Sequence, residues 1–221
     1  MHRPSRPEDL DHADRVWARA VAFALLEAAH GNPEGYWLDE HGVWCDATGG
    51  SYWWRVARCD DGVVFCGQDS DGSETHVDGR QIDFLAGAPR WLPWETLRED
   101  AEGNLFGFVY WWEAGAWHRI PYPESVQDDG LAGAAGWLGS EEEFVDEAAA
   151  LAAVQPADQA AFTDALARFV RHAGAGTVDT AVVADLLAAA GPEHADRRPL
   201  LVGPALDVAE RAGLTRPGGR G

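Results

Sequence analysis

Two aromatic segments constrain this chain more than any other feature, because each has the pattern of a β-strand with large rings on both sides. In "YWWRVARC", residues 52–59, Trp53 and Trp54 are neighbours. Successive side chains of a strand point to opposite faces of the sheet, so these two indoles must separate. In "FVYWWEAGAWHR" the same rule separates Trp111 from Trp112. The chain therefore needs a sheet that carries aromatic rings on both faces.

Short β-branched and aromatic runs, separated by Asp-Gly, Gly-Gly and Ala-Gly pairs, extend this pattern from about residue 35 to residue 123. The pattern predicts an antiparallel sheet of about six or seven strands joined by tight turns. We expect the three central strands to form a meander of hairpins. The predicted strands lie near residues 35–38, 43–46, 52–59, 63–68, 74–77, 105–113 and 116–122.

Helical periodicity precedes and follows the β region. Ser5 to Glu8 has the form of a capping box, and an apolar stripe from Leu10 to Ala28 follows it. The predicted fold class is α+β: an N-terminal helix packed on the antiparallel sheet, followed by an α-helical C-terminal portion. The C-terminal helices are predicted near 140–153, 156–173, 177–190 and 204–212. The predicted division is an α+β domain over 1–136, a helical subdomain over 137–215 and a flexible tail over 216–221.

The charge of the chain limits its partners. Seventeen basic residues, all of them Arg, oppose 37 acids, which gives a formal net charge of −20 among 221 residues. Such a field repels phosphate backbones and anionic headgroups, so we expect neither nucleic-acid nor membrane binding. It would instead increase the rate of encounter with a basic protein. The oligomeric state does not follow from the sequence.

Cysteine usage bears on the compartment. Three Cys at irregular spacing do not form a disulfide framework and fit a reducing environment. The first apolar run is amphipathic, and no uninterrupted apolar stretch approaches the ~20 residues of a membrane span. A cytoplasmic location is therefore expected.

One segment has the composition of a cation site. Between Asp69 and Asp78, oxygen-bearing side chains recur at alternate positions, which suits Ca²⁺ or Mg²⁺. The segment fails the EF-hand pattern, since Gly72 is at loop position 4 and Arg80 is where the bidentate Glu belongs. Asp, Ser and Gly are also the residues of a solvated hairpin turn. The three Cys lack the close pair typical of a zinc site. We predict neither a metal nor a cofactor.

The aromatic residues have two interpretations. In the first, helices cover both faces of the sheet and the rings form a two-sided core. In the second, some indoles line a surface that binds a partner, since Trp dominates interface hot spots and stacks on Arg. Strand alternation places Phe108, Tyr110 and Trp112 in the core beneath the N-terminal helix. We expect the opposite face to be partly covered by the C-terminal helices, with Trp117 and His118 near an open edge.

The predicted function is a non-enzymatic, acidic protein-binding module that engages a basic partner, in the manner of an inhibitor or immunity protein. Its predicted binding residues are Trp53, Trp111, Glu113, Trp117, His118, Asp69, Asp71 and Glu74. Two alternatives stay open. One is a hydrolase or carbohydrate-binding protein that uses Trp and carboxylates in a cleft. The other is a scaffold that self-associates through its C-terminal helices. No catalytic motif favours an enzyme.

Overall fold

A six-stranded antiparallel sheet forms the centre of the protein, as the alternating pattern predicts. The computed structural model describes residues 1–31, 34–46, 50–103, 105–191 and 199–216. The strand order is β1-β2-β3-β4-β7-β8, and β5 and β6 form a separate two-stranded ribbon. The strands are β1 (Tyr36–Asp39), β2 (Gly42–Asp46), β3 (Tyr52–Cys59), β4 (Gly62–Asp69), β5 (His76–Val77), β6 (Arg80–Gln81), β7 (Phe108–Glu113) and β8 (Ala116–His118).

Helices precede, interrupt and follow the strands, which confirms the α+β class. The described α-helices are α1 (Ala13–Ala29), α2 (Trp94–Gly103), α3 (Leu131–Ala134), α4 (Glu141–Leu151), α5 (Gln159–Gly174), α6 (Thr180–Ala189) and α7 (Val202–Arg211). Short 3₁₀ turns occupy Pro7–Asp9 and Gly136–Leu138. Within the described ranges, none of these helices has the length and apolarity that a membrane span requires.

The predicted meander is wrong in its third strand. Residues 76–77 pair with 80–81 in the separate ribbon, whereas β4 pairs with β7 across residues 63–67 and 108–112. The segment around β5, "SETHVDG", is polar and offers few rings to either face. The β7 segment, "FVYWWE", carries apolar side chains in alternate directions and can extend both faces of the sheet. Burial of those rings favours the longer-range pairing.

The predicted start of the first helix is also wrong. The helix begins at Ala13, and the His12 ring accepts a hydrogen bond from the Asp14 amide in the capping position. Ser5 is instead fully buried and hydrogen-bonds Tyr110 at 2.7 Å. Because this tertiary contact occupies the Ser5 hydroxyl, the capping-box pattern at residues 5–8 does not open the long helix.

One face of the sheet packs on α1. Trp54, Val56, Phe65 and Tyr110 from this face belong to a single buried cluster with α1. Helices α4, α5 and α7 pack in turn on α1, and their side chains continue the same cluster. The core thus crosses residue 136 without interruption, while the proposed division at that position stays a prediction.

The other face is covered by the segment between the ribbon and β7, not by the C-terminal helices. Trp53, Val64, Cys66, Val109 and Trp111 form a second buried cluster with this segment. The covering side chains are Phe84, Leu85, Leu92 and Phe106 from the connections and Leu97 from α2. The prediction that C-terminal helices cover this face is wrong, because those helices are already packed on α1.

A half-buried carboxylate links α4 to the sheet. The Tyr36 hydroxyl of β1 donates to Oε1 of Glu147 at 2.6 Å. Burial raises the pKa of the Glu147 carboxyl, and the hydrogen bond from Tyr36 lowers it only in part. Glu147 therefore binds its proton more tightly in the folded state than in the unfolded chain.

We expect Glu147→Gln to be more stable than wild type at neutral pH. The amide keeps the acceptor for Tyr36 without the cost of burying a charge. Because the pKa of Glu147 is raised in the folded state, the folded protein takes up this proton at a higher pH than the unfolded chain. Wild type therefore gains stability as the pH falls from the folded-state pKa towards the ordinary value of 4.5. The advantage of the variant should therefore shrink over that window. Urea unfolding of both proteins across pH measures it, with the exposed Glu142→Gln as control. A variant less stable at neutral pH, whose deficit shrinks on acidification, contradicts the raised pKa.

Candidate functional site

The three predicted tryptophan anchors are buried in this structure. Trp53 and Trp111 are 9% and 8% exposed and lie in the second-face cluster. Trp117 is 5% exposed and lies on the opposite face, where it pairs with Trp112 and its indole N–H donates to the Asp11 carbonyl at 2.7 Å. The three indoles thus form parts of two cores and do not share one surface.

Glu113 and His118 lie at the β7–β8 end of the sheet. Oε1 of Glu113 accepts a hydrogen bond from the indole of Trp91 at 2.8 Å. The exposed His118 ring stacks on Trp111, with centroids 6.3 Å apart. The structure thus brings Trp111, Glu113 and His118 onto one face, where Trp91 holds the Glu113 carboxylate.

The acidic residues of the β4–β5 connection serve as turn residues. Oδ1 of Asp69 accepts from the Asp71 amide at 3.0 Å, and Oε1 of Glu74 accepts from the Gln127 amide at 3.2 Å. The Ser73 hydroxyl donates to the Asp129 carbonyl at 2.9 Å. These contacts close the connection onto residues 127–129. In the ranges that the structure describes, no group of three or more His, Cys, Asp or Glu is arranged to hold a metal ion.

A different surface, on the β1–β2 hairpin, combines tryptophan with carboxylates. Trp37 and Trp44 are directly opposite each other in this hairpin, and both are half-buried. Their rings are nearly parallel, 8° apart, with centroids 6.0 Å apart. Strand alternation puts Asp39 on the same face as Trp37, and Asp46 on the same face as Trp44. We call these four residues the hairpin plate.

The position of the hairpin plate could have been predicted from the turn between β1 and β2, which fixes the register of the hairpin. In "WLDEHGVWCD" the two-residue turn Glu40-His41 sets the register, so Trp37 must face Trp44 across the hairpin. Trp37 is on β1, the end strand of the sheet among the described residues. Its position at the end of the sheet keeps its indole from being covered on both sides by neighbouring strands.

Behind the hairpin plate the same row of side chains becomes fully buried. Arg55 of β3 is opposite Trp44, is 1% exposed and has its guanidinium carbon 4.7 Å from the Trp44 ring centroid. It forms an ion pair with Asp100 of α2. The next residue in the row is Cys66, and burial raises the pKa of its thiol to about 12. The ion pair of Arg55 with Asp100 therefore anchors α2 over the second face, and the Arg55 guanidinium packs against the Trp44 ring.

The surroundings of the hairpin plate are acidic. Residues 36–46 contain Asp39, Glu40 and Asp46 and no Arg. The Glu40 side chain is 82% exposed at the turn. Glu99 and Asp39 both lie close enough to Asp100 to raise the pKa of its carboxyl, although burial is the largest cause of that rise. Carboxylates of the hairpin and of α2 therefore share one region beside the indoles.

The geometry on its own fits recognition of a cation or a basic segment, since stacked rings and carboxylates are brought together at an accessible sheet end. Comparison with known proteins adds no direction, because no family model, no characterised protein and no solved structure matches the chain.

Proposed function

We propose that this protein is a non-enzymatic, acidic binding module that engages a basic partner protein through the hairpin plate. The observation that supports this most is the pair of stacked, half-buried indoles with two carboxylates on the same face of an end hairpin. An inhibitor or immunity-type protein would use such a surface. The proposal keeps the predicted class of function but moves the anchor from Trp53, Trp111 and Trp117 to Trp37 and Trp44.

Burial is the reason for the move. A side chain that is less than a tenth exposed offers little area to a partner, whereas Trp37 and Trp44 are partly accessible. Their stacking fixes both rings before binding, so little side-chain entropy is lost when a partner docks. Rigid aromatic anchors of this kind supply most of the affinity in many interfaces.

Charge supplies the second part of the mechanism. With a formal charge of −20, the protein attracts a basic partner over distances comparable with the Debye length. The carboxylates nearest the plate then orient the partner onto the rings. Steering acts on the association rate, and ring contacts act on the dissociation rate.

The experiment first uses immobilised wild type as bait to capture a partner. It then measures the binding of that partner to wild type and to Trp37→Ala across a salt series. We expect a basic partner whose association rate falls steeply as salt rises. We expect Trp37→Ala to weaken its affinity by about 5- to 30-fold, as loss of a tryptophan hot spot does. Surface plasmon resonance gives both rates.

Trp112→Ala is the matched control, since Trp112 is also half-buried but lies on the opposite face near β8. It should leave partner affinity unchanged, and circular dichroism should verify that both variants fold. A salt-independent association rate, or equal loss of affinity in the two variants, would exclude the hairpin plate as the contact surface.

A further inference from the structure

Several arginines of this protein stack on an aromatic ring and also pair with a carboxylate. Five Arg side chains in the described ranges stack on aromatic rings. Three of these also pair with carboxylates: Arg19 with Asp11 and Glu141, Arg55 with Asp100, and Arg58 with Asp14. Their ring partners are Phe144, Trp44 and Trp17, with guanidinium-to-centroid distances of 5.0, 4.7 and 5.3 Å.

Trp37 and Asp39 offer an aromatic ring and a carboxylate at a partly accessible position. They are two residues apart in β1 and therefore project from one face. Within the part of the chain that the structure describes, none of the five arginine–ring contacts involves Trp37, and none of the ion pairs involves Asp39. The Asp39 carboxylate accepts one hydrogen bond, at Oδ1 from the His41 amide, which holds it at the turn.

The neighbouring ring shows that a guanidinium suits this row. Trp44 is already stacked on Arg55, which is paired with Asp100. Trp37 stacks on Trp44 from the next strand outwards, with the two ring planes 8° apart. A guanidinium stacked on Trp37 would repeat the contacts of Arg55 one strand further out. Trp37 would take the place of Trp44 as the ring, and Asp39 that of Asp100 as the carboxylate.

Arginine fits this arrangement better than lysine. A guanidinium is planar, so it can stack on an indole while its fork of N–H groups donates to a carboxylate. An ammonium is compact and strongly hydrated, and loses more of its hydration on approaching a ring. A partner protein that presents Arg can therefore contact the indole and the carboxylate with the same side chain.

We infer that Trp37 and Asp39 form an arginine receptor, in which an Arg of the basic partner stacks on the Trp37 indole and pairs with the Asp39 carboxylate. This inference rests on the proposed function and specifies its partner chemistry. The surrounding carboxylates, Glu40 and Asp46, add attraction for further basic residues but do not distinguish Arg from Lys.

Two peptides of equal length and charge test the inference, one alternating glycine with arginine and the other glycine with lysine. Calorimetry at physiological ionic strength gives their affinities. We expect wild type to bind the arginine peptide about 2- to 30-fold more tightly, the range of a cation–π contact between exposed and desolvated sites. Trp37→Ala should remove this preference, whereas Trp37→Phe, which keeps a ring, should retain part of it.

A charge control separates pairing from bulk attraction. Asp39→Asn should weaken the arginine peptide more than the exposed Glu124→Gln does, although both remove one negative charge. Equal affinities of the two peptides for wild type, or a preference that survives Trp37→Ala, would overturn the arginine receptor but leave a basic partner in place. Binding of neither peptide would overturn the receptor and the proposed function together.

Discussion

Asp100→Ala is expected to lower the free energy of unfolding by about 3 to 5 kcal/mol, which is a large part of the stability of a domain. The substitution leaves the Arg55 guanidinium without its carboxylate at a position that is 1% exposed. A buried charge without a counter-charge carries a desolvation penalty that the Trp44 ring offsets only in part. Urea unfolding, followed by far-ultraviolet circular dichroism, measures the change.

Two comparisons make this result specific. Arg55→Met combined with Asp100→Leu should recover most of the lost stability, because an apolar pair removes the unpaired charge as well as the ion pair. Asp185→Ala breaks the Arg168 pair, whose side chains are 45% and 58% exposed, and should cost less than about 1 kcal/mol. If Asp100→Ala costs no more than Asp185→Ala, the buried pair does not hold α2 in place.

Asp129→Ala is expected to cost about 2 to 4 kcal/mol and to release the N-terminal segment. The buried Asp129 carboxylate accepts from the Ser5 amide at 3.2 Å and from the Tyr122 hydroxyl at 3.0 Å, and also from the Ser5 hydroxyl. Ser5 is itself fully buried, so its donors would lose their acceptor without gaining water. Thermal unfolding and hydrogen exchange at the Ser5 amide measure the two effects.

Tyr122→Phe provides the graded control, since it removes one donor to Asp129 and leaves no buried donor without an acceptor. Its cost should be about 0.5 to 1.5 kcal/mol, with the Ser5 amide still protected. Asp129→Asn keeps an acceptor and should fall between the two. Unchanged protection of Ser5 in Asp129→Ala would show that the segment is held by other contacts.

Local pattern was enough to predict much of the architecture. Strand β3 has the predicted bounds, residues 52–59, because alternation of rings and tight turns at both ends are encoded within a few residues. The same alternation correctly separated Trp53 from Trp54 and Trp111 from Trp112. The C-terminal helices lie close to their predicted positions, since Ser140 caps α4 through the Glu143 amide as its sequence indicates.

Local pattern was not enough where distant segments compete. The 74–77 segment and β7 both follow β4 in the chain, and only packing of the rings of β7 on two cores favours the more distant partner. Likewise Ser5 has a capping sequence but uses its hydroxyl on Tyr110, 105 residues away. The covering of Trp53 and Trp111 by Phe84, Leu97 and Phe106 depends on contacts that no window of sequence contains.

The sequence by itself determined which side chains share a face, the α+β class and the acidic field of this protein, because periodicity and charge are properties of neighbouring residues. Only the tertiary structure decided which indoles stay accessible. Accessibility depends on what packs above each ring, so Trp53, Trp111 and Trp117 became core residues, while Trp37 and Trp44, at the end of the sheet order, kept part of their surface.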